Sequence, residues 1–498
     1  MPDTSVPQPA PISRVARNVT AIALATLIAR GLQFVWAILL AQLLGEAGYG
    51  MWGVIGGMIA TAAALPEFGM GLIVLRDVAR DRAQAGKYLS ATLAVQPPLA
   101  VVAYLLLIGA SLLLPYDTAM RALIALAGIS LLVDVLGTMG YNQLLAAEQM
   151  VTTSAILVAH IVAQIAFTFA VLMAGGGLPG LYVATILAGL LRMALFWGAM
   201  RRNRIRPSWP PAMPIIRRLI RDGLPLALAS FFGLAYQHVD KILVFSLLSE
   251  ADAGYLTSAF VIVFGVIELT ATTALTALFP LMSRLGQDQP AALRDITDRL
   301  ALLILVVTLP IGMGISTLSA RLSGLLFPGF VRTSAVLEVL IWHAVVAMVA
   351  SVYAQHMIIH NRQRLMVLFR VCGLILNAAL NLILLPRLGV TGAGLASLIT
   401  QIALLGLFLG AHRPDPAALR RLADQASRAL LAGLGMGALI IALRDVSPIL
   451  AGACGVAAYL AGLLIFRALT PGDWALVRRA ATNLPLIGGR IAARFPAS

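Results

Sequence analysis

Stretches of about twenty apolar residues recur from one end of this chain to the other, and that recurrence restricts its fold more than any other feature. A helix needs about 20 residues to cross the hydrocarbon core of a bilayer. Runs bounded by charge, proline or glycine clusters give fourteen candidate spans: 20–44, 51–74, 88–113, 119–141, 152–174, 178–200, 223–248, 255–279, 300–326, 335–358, 365–385, 391–411, 428–444 and 448–467. Composition agrees. The 498 residues are 60% hydrophobic and 11% charged, with mean hydropathy +0.93, whereas a soluble chain is about 45–50% apolar and about 25% charged. The expected fold is an all-α polytopic membrane protein.

The net charge of +15 would suggest nucleic-acid binding in a soluble protein. Its distribution gives another cause. Lys and Arg accumulate on the cytoplasmic side of membrane proteins. With the N-terminus inside, 27 of the 36 basic residues fall in inner segments. Four fall in outer loops, namely Arg121, Arg332, Arg387 and Arg444. Both termini are therefore expected inside, with the excess charge explained by topology and no nucleic-acid partner. The N-terminal segment MPDTSVPQPAPISR is polar and Pro-rich and does not read as a signal peptide. Cys372 and Cys454 stand far apart in apolar runs, and no disulfide or metal spacing follows from them.

The two halves of the chain repeat. LQFVWAILLAQLLGEAGYG (32–50) resembles YQHVDKILVFSLLSEADAGY (236–255) at an offset of 204, so that Gln33 matches Gln237 and Glu46-Ala47 matches Glu250-Ala251. A two-residue gap then pairs Gly48-Tyr49 with Gly254-Tyr255. GGLPGLYVATIL (176–187) likewise resembles VTGAGLASLI (390–399). Repeats that begin on the same side are parallel and related by an axis along the membrane normal. The organisation read from this is a cytosolic tail (1–19), a six-helix half (20–200), a basic cytosolic linker (201–222), a second six-helix half (223–411), two extra helices (412–467) and a cytosolic tail (468–498). Within the linker, IRRLIRD is expected to lie as a basic amphipathic segment on the anionic leaflet.

Several segments stand in order on the expected sides: Arg17-Asn18 entering the first span, LLGEAGYG (43–50) at its outer end, LPEFGMGLIVLRDVARD (65–81), YNQLLAAEQM (141–150) and ALFPLMSRLGQD (277–288). With the fourteen-span, two-half plan they resemble the O-antigen and exopolysaccharide flippases of the multidrug/oligosaccharidyl-lipid/polysaccharide (MOP) exporter superfamily. The resemblance covers roughly residues 14–470. It implies a transporter of the bacterial cytoplasmic membrane that carries an undecaprenyl-diphosphate-linked oligosaccharide from the inner to the outer leaflet by alternating access. No covalent bond breaks in that process, so the chain is not expected to be an enzyme. The implied partners are that substrate, membrane lipids and polysaccharide polymerase or export machinery.

Moving a diphosphate and sugars through hydrocarbon requires cations and hydrogen-bonding groups on inward helix faces. Arg30 lies about 10 residues into the first span, roughly 15 Å deep, with Gln33 on the same face. An intramembrane Arg usually faces a polar interior, and its fork grips phosphate with two parallel bonds. The competing reading is a structural ion pair with Asp134, Glu268 or another buried acid. Lys241, one of two lysines in the chain, shares a stripe of the seventh span with Gln237; it is either a ligand or snorkels to the outer interface. Asp240 neighbours Lys241 and is expected to point elsewhere. Arg30, Gln33, Gln237 and Lys241 are thus the candidate substrate-binding residues. Asp134, Asp240 and Glu268 are candidates for coupling to H+ or Na+, or for a structural role. Asn377 and Asn381, an i, i+4 pair, read as helix–helix glue or ligand contacts. His356 and His360 have metal spacing, but no third ligand accompanies them, so no metal site is expected. No Walker A motif and no cofactor signature occurs.

Three other functions share some of these features. A drug/cation antiporter of the same superfamily would favour acidic cavities and usually has twelve spans. A lipid II flippase would share span count and an anionic lipid. A membrane polysaccharide polymerase would need a large outer loop, and every outer loop here is a few residues long.

Overall fold

The computed structural model describes residues 12–267, 282, 290–360, 362–414 and 416–470, with side chains from residue 28 onward except at 290, 291 and 418. Among the described residues the regular structure is entirely helical, and thirteen helices are long and apolar enough to cross a membrane. The first of these, Ile28–Glu67, has 40 residues, about 60 Å of helix against a hydrocarbon core of about 30 Å. It lies in α1 (Ile12–Glu67), which breaks at Gly45, where φ is 68° and ψ 177°. A side chain resists that left-handed φ, and glycine accepts it. The break falls between the first two spans read from the sequence, so α1 supplies two passes and the described helices make fourteen.

The second pass ends at Glu67, and Phe68 and Gly69 turn the chain into α2 (Met70–Arg80), a short helix that buries Met70, Ile73, Val74 and Val78. The second span is therefore shorter than the stretch to residue 74 expected from hydropathy. Next come α3 (Ala85–Leu113), α4 (Thr118–Ala146), α5 (Met150–Met173), α6 (Gly177–Arg202), α7 (Met213–Leu247) and α8 (Glu250–Ile267). The later helices are α9 (Pro290–Thr317), α10 (Ser319–Leu326), α11 (Thr333–Ile359), α12 (Gln363–Leu388), α13 (Thr391–His412), α14 (Pro416–Leu443) and α15 (Pro448–Ile465).

Two compact units emerge, one ending at Ser258 and the other starting at Ala259. The repeat boundary lies near the linker, but α7 packs along α1, and the contact boundary therefore falls later in the chain. The linker also behaves differently from its expected membrane-surface role. IRRLIRD forms the opening turns of α7, continuous with the seventh span. Leu219 is fully buried with Phe68, Ile73 and Tyr88, and Ile215 and Ile216 pack on the same cluster. Burying one such leucine contributes about 1.5–3 kcal/mol outside the bilayer, where water drives the association.

Within the first unit the repeat becomes a reciprocal crossing. A Cβ on Gly50 would lie closer than 3.0 Å to the Glu250 carbonyl oxygen, and a Cβ on Gly254 equally close to the Glu46 carbonyl oxygen. Each member of these pairs maps onto the other by adding 204. Gly53 meets Thr257, its own counterpart. The constant offset therefore continues through the motif, in place of the two-residue gap expected at Gly48-Tyr49. Gly50 pairs with Gly254 because both allow backbones to touch. Tyr255 donates to Glu46 Oε2 at 2.5 Å beside this crossing.

In the second unit α9, α14 and α15 share a core of Leu302, Leu309, Met436, Ile440 and Leu463. The Tyr459 hydroxyl donates to the Val306 carbonyl at 2.8 Å. Many leucines and isoleucines elsewhere point outward, including Leu105, Leu106 and Ile375, each more than 60% exposed. In lipid such residues need no cover, and small residues and polar links set the helix contacts instead.

Candidate functional site

Arg30 and Gln33 meet in a cavity of about 260 Å³ inside the first unit. Helix α1 supplies these two residues, the end of α4 supplies Tyr141 and Leu145, and the start of α5 supplies Thr153 and Ser154. The cavity extends along α5 from Met150 to Ile161, about 16 Å of helix. The Tyr141 ring is held edge-on to Phe196, with centroids 6.0 Å apart. The Thr153 hydroxyl donates to the Gln149 carbonyl at 2.8 Å, leaving its lone pairs for a further donor. A guanidinium, an amide and three hydroxyls thus converge in a chain otherwise poor in polar groups. Arg30 is half-buried and Gln33 exposed, the accessibility a passing ligand requires.

Gln237 and Lys241 do not line this cavity. Lys241 and Asp240 are both buried, at 8% and 2% exposure, and attract one another electrostatically. Burying both charges in one stretch of α7 lets each partly compensate the other.

Asp134 is not the partner of Arg30. Its Oδ1 lies 2.8 Å from Arg192 Nη2, which also reaches the Asp134 carbonyl at 3.3 Å. This pair ties α4 to α6 well inside their spans. Beside it, Gly137 and Gly189 leave room for the two side chains. Arg192 carries no sequence signal of its own, because its partner is 58 residues away. Asn381 Nδ2 donates to Asn377 Oδ1 at 3.0 Å, and both residues are fully buried. Glu268 lies outside the described residues. The hydroxyls of Tyr141, Thr153 and Ser154 give no sequence signal either, because such residues are common in membrane helices.

On the inner side, Asp77 joins three elements. Arg76 Nε donates to Oδ1 at 2.9 Å, Tyr88 to Oδ2 at 2.8 Å, and Arg218 Nη2 lies 3.1 Å from Oδ2. Burial pushes the Asp77 carboxyl upward, but the hydrogen bonds from Arg76 and Tyr88 and the charges of Arg76 and Arg218 outweigh it, holding the group below the usual carboxylate range. This cluster clamps the opening of α7 to α2 and α3.

Residues 15–286 match the family model described as "Polysaccharide biosynthesis protein". The chain belongs to the polysaccharide biosynthesis protein family. Among solved structures, a lipid II flippase MurJ in an inward closed conformation is similar with TM-score 0.72 and 14% identity, covering 90% of this chain and 98% of that one. An inward-facing multidrug resistance MATE family transporter of the MOP superfamily is similar with TM-score 0.65 and 15% identity, covering 80% and 97%. A MATE protein in a bent conformation follows with TM-score 0.53 and 14% identity, covering 82% and 97%. No curated protein matches. At these identities the neighbours establish the fold alone: this family member is a multi-pass all-helical protein that shares its architecture with the MurJ and MATE structures.

Proposed function

We propose that the protein is a flippase that carries undecaprenyl-diphosphate-linked oligosaccharide units from the inner to the outer leaflet of the bacterial cytoplasmic membrane, by alternating access, for surface or exopolysaccharide assembly. The observation that carries this reading is the Arg30 cavity. Arg30 offers a bidentate grip on phosphate, and Gln33, Tyr141, Thr153 and Ser154 offer the hydrogen bonds that sugars need. At about 260 Å³ the cavity falls below the 300–1,000 Å³ typical of sites for drug-sized ligands. It suits the diphosphate with the adjoining sugar and leaves the rest of the oligosaccharide outside.

The polyprenyl tail can stay in the surrounding lipid. A fixed guanidinium also disfavours cationic drugs, which separates this reading from a drug antiporter. Replacing Arg30 by Ala removes charge-assisted hydrogen bonds worth about 1.5–3 kcal/mol, which corresponds to a fall of about tenfold to a hundredfold in affinity for the lipid-linked unit. Cells carrying Arg30→Ala are expected to lose surface polysaccharide and accumulate the lipid-linked unit on the inner leaflet. Unchanged export at normal protein levels would refute the site.

A further inference from the structure

Beyond the Arg30 cavity, three polar residues of the first unit meet: Asp134 on α4, His160 on α5 and Arg192 on α6. Tyr141 on α4 and Thr153 on α5 line the cavity. Asp134 precedes Tyr141 by seven residues and His160 follows Thr153 by seven. Seven residues make nearly two helical turns, so each lies on the stripe of its counterpart, about 10 Å further toward the outer side. Arg192 links the two. Its Nη2 lies 2.8 Å from Asp134 Oδ1. The carbonyl of Ala188, one turn before Arg192 on α6, lies 3.2 Å from His160 Nδ1. All three residues stand about 15–18 Å from the inner ends of their helices, near the middle of a hydrocarbon core about 30 Å thick.

This group is not saturated by the fold. The Asp134 side chain is 48% exposed although it is paired. A carboxylate at this depth does not face hydrocarbon, so this side of α4 borders water or a polar ligand. Its second oxygen, Oδ2, makes no hydrogen bond among the described residues. A carbonyl only accepts, so His160 Nδ1 carries the hydrogen and Nε2 keeps its lone pair. Arg192 Nε lies against Gly137 and has no hydrogen-bond partner among the described residues. Two open acceptors beside a guanidinium suit hydroxyl groups, which donate and accept at once. A carboxylate in the same place repels phosphate.

We propose that Asp134 and His160 form a second ligand station that binds sugar hydroxyls while Arg30 holds the diphosphate. The proposal rests on the transport reading and adds which part of the molecule each station recognises. The cavity takes the diphosphate with the adjoining sugar, and the station receives the next sugar outward. The oligosaccharide therefore leads toward the outer leaflet and the diphosphate follows. Arg192 is a positioning residue, which fixes the Asp134 carboxylate and leaves Oδ2 open.

The test measures binding to the full chain in nanodiscs with two probes, undecaprenyl diphosphate and the same lipid bearing a short neutral oligosaccharide. The wild type should bind the second probe more tightly. His160→Ala and Asp134→Asn should each weaken the oligosaccharide lipid about two- to tenfold more than undecaprenyl diphosphate. His160→Gln keeps an acceptor and should recover part of that loss. A purely structural role would lower both affinities together, so equal losses for the two probes, or no loss for either, overturn the station. Arg30→Ala should weaken both probes; unchanged binding of undecaprenyl diphosphate there counts against the Arg30 reading and not against the station. A second measurement needs no ligand. With Cys372 and Cys454 replaced by serine, His160→Cys should react with a membrane-impermeant, charged methanethiosulfonate, and the oligosaccharide lipid should slow that reaction. An unreactive thiol in this variant would place the face against lipid and overturn the station.

Discussion

The reciprocal glycine crossing makes a sharp prediction, because the same perturbation applied at two positions should have the same effect. Alanine at Gly254 places a methyl group against the Glu46 carbonyl, Cα and carbonyl carbon, all backbone atoms that cannot swing aside. Alanine at Gly50 does the same against Glu250 and Gly254. Overpacking of this kind costs about 1–3 kcal/mol. Separating the helices also stretches the bond from Tyr255 to the Glu46 carboxylate, which contributes about 1.5–3 kcal/mol when a charged group is involved. Helix propensity returns about 1 kcal/mol, since alanine favours helix over glycine. The net cost is about 2–5 kcal/mol for each. Gly56→Ala is the control, because nothing lies within 4 Å of its Cβ; it should be neutral or slightly stabilising. The assay is thermal unfolding of the purified chain in detergent. Gly50→Ala and Gly254→Ala should melt lower than the wild type by similar amounts, and Gly56→Ala should not. Equal melting of all three variants, or a loss confined to one member of the pair, would refute the reciprocal contact.

Further outcomes can be checked together. Asp134→Ala strands the Arg192 guanidinium within the membrane, at a cost of about 3–5 kcal/mol; the double variant Asp134→Ala, Arg192→Leu should recover much of that loss in the same melting assay. Asp77→Asn should destabilise by about 1–2 kcal/mol near neutral pH, the value discounted because Arg76 and Arg218 are half-exposed. Since the folded-state pKa of Asp77 is depressed, its stabilisation is present above the unfolded value of about 3.9 and is lost as pH falls through the folded value. The gap between wild type and Asp77→Asn should therefore hold constant above about pH 4 and close below it, as followed by melting across pH. Tyr459→Phe should cost about 1 kcal/mol by leaving the Val306 carbonyl unmatched, measurable as a small shift on the same scale.

Features with a one-dimensional signature are legible in the amino-acid sequence. The span lengths, the split of arginines between sides and the Gln-to-Glu repeat are all periodic or compositional, and the break at Gly45 falls where the apolar run pauses. Arg30 and Gln33 stand out because polar groups at that depth are costly without a purpose. What stays hidden depends on pairing across distance. Asp134 meets Arg192, and His412 meets Asp298, through helix contacts that no local pattern encodes. The helical continuity of the linker is obscured by its prolines, the last of which, Pro214, stands in the first turn of α7, where proline is tolerated, so α7 can start there and run on.

Reconstitution tests transport through the Arg30 cavity without the complications of the cell. Purified protein in liposomes that carry a fluorescent undecaprenyl-diphosphate-linked oligosaccharide on one leaflet should make that lipid accessible to a membrane-impermeant quencher or hydrolase on the other. Arg30→Ala should reduce the rate by about tenfold or more, while leaving the protein folded. Translocation at the protein-free rate would contradict the flippase assignment, and an Arg30→Ala variant as fast as the wild type would contradict the role of the cavity.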